Sequence, residues 1–242
     1  MKKHIPNLIT GLNAASGAMA VFMALYGQIG WAACFIIAGM VFDFFDGMVA
    51  RLLHVKSEMG KELDSLADVI TFGVAPALLA HMLIRDLLLP EGTGSIASLT
   101  AYEQVILFIP LLIPVFSAFR LAKFNLDTRQ SVSFIGLPVP AHALFWVGLV
   151  FARVKAPLLY QTFFGNIWVL TLCVLILSIL LISELPMFSL KISGFSWSAN
   201  KVVYLYFLTL LVVALCFGWA VLPFVIPFYI LYCAVKALCS NR

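Results

Sequence analysis

Residues 31–52 read WAACFIIAGMVFDFFDGMVARL, apolar from Trp31 to Phe42 and then interrupted by Asp43 and Asp46 before Arg51 closes the run. A stretch of this length can cross a hydrocarbon core of about 30 Å as a helix, which takes about 20 residues. Its apolar residues do not alternate, so it is no barrel strand, and in lipid the remaining way to satisfy every backbone group is a helix. The two carboxylates are the anomaly, because an acid at membrane depth is expensive unless it has a partner or a task.

Similar apolar runs flank it, at 8–26, 65–89, 104–121, 135–152, 165–184, 201–217 and 219–239. The whole chain has the same character: 63% of the 242 residues are hydrophobic, 11% are charged, and the mean hydropathy is +1.07, values that exclude a soluble globular protein. The expectation is an all-α, polytopic membrane bundle of about eight transmembrane helices. It forms a single integral membrane domain over 1–242, with a catalytic core at about 1–184 and additional C-terminal helices over 201–239. Within the last stretch, two helices joined at Phe217-Gly218-Trp219 compete with one long helix bent at Pro223 and Pro227, and length favours two.

Basic residues are retained on the cytoplasmic side of short loops. A cytoplasmic amino terminus places Lys2, Lys3, Arg51, Lys56, Lys61, Arg120, Lys123, Arg129, Lys191, Lys201, Lys236 and Arg242 on that side. Of the 15 Lys and Arg residues, only Arg85, Arg153 and Lys155 then lie outside. Both termini are therefore expected in the cytoplasm, and the formal charge of +4 reads as topology and attraction to anionic membrane lipids. No basic stripe with interleaved aromatics supports nucleic-acid binding. Lys2 and Lys3 before an apolar stretch imitate a secretory signal, but the early polar residues Asn7, Thr10 and Asn13 and the many later spans oppose that reading. Cys34, Cys173, Cys216, Cys233 and Cys239 lack metal-site or disulfide spacing and read as packing residues. His4, His54, His81 and His142 have no ligand-like partners and read as structural, while Pro138 and Pro140 are expected to bend the start of the fifth span.

Beyond the opening helix the acids continue as Gly60-x-x-x-Asp64-x-x-x-Asp68. The three-residue step puts Asp43 and Asp46 on one helix face, and the four-residue step does the same for Asp64 and Asp68. Two such helices facing each other make a cage of four carboxylates, which repel strongly unless positive charge sits among them. An all-oxygen set without His or Cys suits Mg²⁺ or Mn²⁺, with Ca²⁺ as a competitor, and a pair of such ions is a known device for phosphoryl chemistry. Gly47, Ala50 and Gly60 leave room for a flat ligand, and Arg51, one turn past Asp46, can pair with phosphate. A purely structural reading also exists, in which Asp43 and Asp46 pair with Arg51 or Lys61 and the glycines serve helix packing.

The stretch DFFDGMVARLLHVKSEMGKELDSLAD at 43–68 resembles the defining motif of the CDP-alcohol phosphatidyltransferases at every position. The resemblance implies a bundle on six core helices, a pair of divalent ions on Asp43, Asp46, Asp64 and Asp68, and Asp68 as general base. It also implies a CDP-lipid site made by Asn7, Thr10, Asp43, Gly47, Ala50, Arg51, Gly60 and Asp64, and a homodimer. PNLITGLN at 6–13, DVITFGVAPA at 68–77, FRLAKFN at 119–125 and FIGLPVPA at 134–141 resemble the membrane-embedded branch that uses L-serine as acceptor and CDP-diacylglycerol as donor, covering about the first 145 residues. Thr71 and Lys123 depart from that pattern, standing where Ser and Arg are expected.

An amino-acid acceptor carries a carboxylate and an ammonium, so its pocket needs a cation and hydrogen-bond acceptors. Arg120, Lys123, Asn125 and Arg129 are the candidates, with Asn13 reaching from the first span. The bland alternative is that the three cations enforce topology or meet lipid headgroups. Two further readings stand beside serine transfer: another acceptor, such as glycerol 3-phosphate or an inositol phosphate, which needs a denser basic pocket, and a cation transporter, which needs acids spread along several helices at the midplane.

Overall fold

The computed structural model describes residues 4–55, 57–89, 94–127, 134–187 and 218–240. They form ten α-helices: α1 (His4–Leu25), α2 (Ile29–Leu52), α3 (Glu58–Asp68), α4 (Ala75–Leu88), α5 (Ala101–Phe108), α6 (Leu112–Leu126), α7 (Val139–Lys155), α8 (Pro157–Phe164), α9 (Ile167–Ile182) and α10 (Leu222–Ser240). The all-α expectation holds. Among the described residues four helical runs are long and apolar enough to cross a membrane, α1, α2, Glu58–Leu88 and Ala101–Leu126. There is a fifth if α8 and α9, bent by 75° at their junction, count as one span. The expected span 201–217 lies outside the described residues.

The helical hairpin α1–α2 carries the site. Its inner face is made of small residues, Gly17, Ala20 and Ala24 against Ala32, Ala33 and Gly39, which lets the two backbones approach closely. Gly27 closes the hairpin in the left-handed region (φ 74°), with Gly27 N–H donating to Ala24 O and Gln28 N–H to Met23 O at 2.8 Å, a helix C-terminus of the kind that glycine permits. The return from α2 to α3 turns through His54, also left-handed (φ 52°), and Ser57 caps α3 by accepting from Gly60 N–H at 2.9 Å.

α3 and α4 are one continuous run, joined by a π-helical segment at Val69–Val74. It is the most buried of the four candidate spans. A π turn holds one residue more than an α turn, so it rotates α4 by about 100° relative to a regular continuation of α3. At this segment Gly73 passes close to α6, where an added Cβ would sit 3.3 Å from both Pro114 Cα and Ser117 Cβ. α7 lies in the middle of the bundle with Phe145, Trp146, Leu149 and Val150 all buried, and α10 closes on it at Gly148. Pro138 and Pro140 start α7 rather than bend it: Pro138 is its N-cap and Pro140 lies in the first turn, where a missing N–H is harmless. A two-stranded antiparallel pair, β1 (Phe134–Ile135) and β2 (Pro186–Met187), ties the entry to α7 to the end of α9.

The remaining expectations resolve locally. Cys34 and Cys173 are free thiols. His81 Nδ1 is 2.9 Å from Leu107 O, and His142 is buried against Trp146, whose Nε1 donates to His142 Nε2 at 3.3 Å.

Candidate functional site

Asp43 from α2 and Asp64 and Asp68 from α3 each offer a carboxylate oxygen, and these oxygens lie within 4.8 Å of one another. The sequence pattern predicts four acids in one cage, but the structure gathers three. Residues three apart on a helix differ by about 60° around its axis, so when Asp43 faces the triad, Asp46 points to one side. Asp46 is buried and accepts a hydrogen bond from Thr10 Oγ1 at 2.6 Å, yet remains close enough to Asp43 and Asp64 to interact with their charges.

Asp64 Oδ1 is buried without a hydrogen-bond partner. A buried carboxylate oxygen with no donor, beside two further acids, is the arrangement expected of a cation ligand. The donor set is wholly oxygen and fits Mg²⁺, Mn²⁺ or Ca²⁺.

Beside the triad a cavity of about 510 Å³ opens between the start of α1, the end of α2 and the start of α3. Its lining includes Asn7, Thr10, Gly47, Ala50, Gly60 and Asp64, most of the residues expected to hold the CDP moiety, together with Asp46, expected as a metal ligand. The glycines have distinct tasks. A Cβ on Gly47 would meet nothing within 4 Å, so its missing side chain keeps the cavity open. A Cβ on Gly60 would come within 3.0 Å of Asn7 Oδ1 and 2.9 Å of Ser57 Oγ, so this glycine lets α1 and α3 converge.

Arg51 departs from expectation. It is exposed, does not line the cavity, and its Nε donates back to Gly47 O at 2.9 Å. Asp43 likewise belongs to the triad and not to the cavity wall. The cavity adds residues that the motif did not point to, Pro6, Val55, Ser57, Glu58 and Lys61. The signal that points to Ser57 is its type and place, a serine directly before Glu58 at the start of α3, the ordinary pattern of a helix cap. Lys61 reaches across to the end of α6, where its Nζ donates to Asn125 O at 2.9 Å.

The acceptor candidates do not converge in the same way. Asn13 is buried, and its Nδ2 donates to Asp68 Oδ1 at 3.2 Å. Arg120 is buried, interacts electrostatically with Asp68, and holds its guanidinium 5.0 Å from the Phe124 ring centroid. Lys123 Nζ is 3.3 Å from Glu184 Oε1, and Asn125 Nδ2 donates to Ser65 Oγ at 2.9 Å. Arg129 lies outside the described residues.

The sequence profile of the CDP-alcohol phosphatidyltransferase family matches residues 3–231. The chain is 38% identical to a CDP-diacylglycerol–serine O-phosphatidyltransferase of Bacillus subtilis over 148 residues, 61% of this chain and 76% of that protein. A protein of the same name from Mycobacterium bovis is 32% identical over 240 residues, 96% of this chain and 74% of its own. An archaetidylserine synthase of Methanothermobacter thermautotrophicus is 32% identical over 145 residues, 58% of this chain and 54% of its own.

Proposed function

The chain belongs to the CDP-alcohol phosphatidyltransferase family and is a membrane-helical phosphotransferase; from that premise we propose that it moves the phosphatidyl group of CDP-diacylglycerol to the hydroxyl of L-serine, giving phosphatidylserine and CMP. The observation that carries the donor half is the cavity at Asn7, Gly47 and Gly60 opening directly beside the Asp43–Asp64–Asp68 triad. Serine as acceptor draws support from relatives that carry it in their names at 32–38% identity.

In this reading the nucleotide lies in the cavity, with Gly47 and Ala50 leaving room for it and Asn7 and Thr10 offering polar atoms. Asp43, Asp64 and Asp68, with Asp46 at the edge, would hold a divalent ion or a pair of them, Mg²⁺ or Mn²⁺, which when bound neutralises the pyrophosphate and improves CMP as a leaving group. Asp68 takes the proton from the serine hydroxyl as that oxygen bonds to the lipid-side phosphorus. The bond from phosphorus to the CMP oxygen breaks, so no covalent enzyme intermediate forms. Arg120, Lys123 and Asn125 supply the acceptor side, and Arg120 interacts electrostatically with Asp68.

We place the site at the cytoplasmic face of an eight-span, homodimeric protein with both termini inside. The placement rests on charge: Arg51, Lys61, Arg120 and Lys123 lie at the site's end of their helices. At the opposite end Arg153 is neutralised by an ion pair with Asp86.

The test uses purified protein in detergent with Mn²⁺ or Mg²⁺, CDP-diacylglycerol and L-serine, glycerol 3-phosphate or an inositol phosphate, reading CMP release. Serine-dependent release above the other arms is expected. Release that is equal with serine and with buffer rejects serine as acceptor, and release driven by a phosphorylated acceptor reassigns the substrate.

A further inference from the structure

Sequence pattern assigns Asn13 to the acceptor, yet its side chain is completely buried (0% exposed) and spends its amide on Asp68, with Nδ2 donating to Oδ1 at 3.2 Å. A second hydrogen bond fixes the same residue from behind, because Thr71 Oγ1 donates to the backbone oxygen of Asn13 at 2.9 Å. Thr71 is equally buried (0% exposed) and belongs to the π-helical turn that begins immediately after Asp68. Two glycines close the packing around it. A Cβ on Gly17 would stand 2.7 Å from Thr71 Cα, and one on Gly39 would strike the Thr71 methyl and come within 3.0 Å of Asn13 Oδ1. Backbone from α1, α2 and the π turn is thus pressed together around Thr71 and Asn13, and the Asn13 side chain is enclosed by that packing.

Asn13 Oδ1 has no hydrogen-bond partner although it is buried. Turning the amide over would aim an oxygen at a carboxylate oxygen and lose the hydrogen bond to Asp68. The side chain therefore leaves its own acceptor unmet in order to donate to Asp68, a local sacrifice of the kind seen where a neighbouring group must be held for function. The terminal torsion of an aspartate is soft, and one firm donor on Oδ1 sets the plane of the carboxylate. The remaining lone pairs then keep a fixed direction.

We propose that Asn13, anchored by the Thr71 hydroxyl, is a positioning residue for Asp68: it sets the plane of the carboxylate that receives the acceptor's proton and does not itself bind the acceptor. The inference deepens the functional reading above and rests on it. Loss of a partner that orients a reacting or metal-holding carboxylate lowers turnover by about 10–100-fold.

The experiment compares wild type, Asn13→Ala, Thr71→Val and Thr71→Ser in detergent with Mn²⁺. It reads kcat, KM for serine and for CDP-diacylglycerol, and the thermal melt with and without CDP-diacylglycerol. Asn13→Ala and Thr71→Val should lose kcat by about 10–100-fold with both KM values within about threefold and the ligand-induced rise in melting temperature preserved, while Thr71→Ser stays within about threefold of wild type. A rise in KM for serine at nearly unchanged kcat would make Asn13 an acceptor contact and overturn the proposal, as would unchanged kinetics. Thr71→Ser as impaired as Thr71→Val would assign Thr71 to methyl packing and overturn the anchor. If Asn13→Ala gives no cooperative melt, the Thr71 pair decides alone. The functional reading fails separately, when wild type itself shows no serine-dependent CMP release.

Discussion

Around the donor cavity, residues of α1, α2 and α3 share one space: Thr10 bonds Asp46, Asn13 bonds Asp68, Gly60 admits Asn7, and three carboxylates meet with one buried oxygen unpartnered. Among the acceptor candidates on α6, Arg120 interacts with Asp68, but Lys123 turns to Glu184 just past the end of α9 and Asn125 to Ser65 on α3. The difference follows from how each half is built. The donor half is a closed corner of three helices pinned by glycines, so its geometry is set by backbone packing. The acceptor half is a helix end, where long side chains take whichever neighbour is in reach. A preorganised wall beside a less converged one suits a reaction in which the nucleotide lipid is gripped and the small acceptor is admitted to it.

The sharpest way to break the contrast is to remove charge from the triad without changing its shape. Asp64→Asn should lower serine-dependent CMP release on the order of 10²–10³-fold or more, the scale of deleting one group that stabilises transition-state charge. EDTA should abolish the wild-type reaction and Mn²⁺ should restore it. An active Asp64→Asn protein would remove the triad from the chemistry altogether.

Filling the cavity comes next. Gly47→Leu projects a side chain into open space at the cavity wall, so KM for CDP-diacylglycerol should rise by about tenfold or more, about 1.4 kcal/mol, with KM for serine little changed. Gly11 is the matched control, since it also has nothing within 4 Å of an added Cβ but lies away from the cavity. Gly11→Leu should leave both KM values alone. Equal effects from the two substitutions would show that the cavity is not where the nucleotide binds.

On the acceptor side the buried cation should matter most. Arg120→Ala is expected to raise KM for serine by about tenfold while KM for CDP-diacylglycerol moves by less than about threefold. The opposite split would give Arg120 to the donor and leave the acceptor side without its strongest group.

Much of the donor half was legible in the sequence, because the residues concerned obey helix spacing. Asp64 and Asp68 meet as the four-residue step predicts, with Asp43 of α2 brought to them, and the small residues at 47, 50 and 60 do border a cavity. What spacing cannot give is the rotation of one helix against another, which decides that Asp43 faces the triad while Asp46 stands beside it, or the choice of a long side chain such as Arg51 to turn back along its own helix to Gly47. The helical class and the first four spans were legible from hydropathy alone. The π turn at Val69–Val74 was not, since its surroundings are tertiary: Gly17, Gly39 and Gly73 let α1, α2 and α6 pack against it, and no local pattern records those approaches. Asn13 shows the same limit, since its polarity in an apolar span announced a task but not which partner it serves.

The smallest expected effect lies at Lys123, and its size is informative. The pair with Glu184 is solvent-accessible, with side chains 41% and 69% exposed, so its contribution to stability should be about 0–1 kcal/mol and should shrink with salt. Lys123→Ala should therefore leave the melting temperature nearly unchanged. If Lys123 only ties α6 to α9, kinetics should follow stability and stay within about twofold. If it leaves Glu184 to meet the serine carboxylate, Lys123→Ala should raise KM for serine by several fold, and Glu184→Gln should lower that KM by releasing the lysine. The Glu184→Gln measurement separates the two, because losing a purely structural ion pair has no route to tighter acceptor binding. A lowered KM would show that the acceptor half does converge once the acceptor arrives, and the contrast with the donor corner would then be one of timing rather than of architecture.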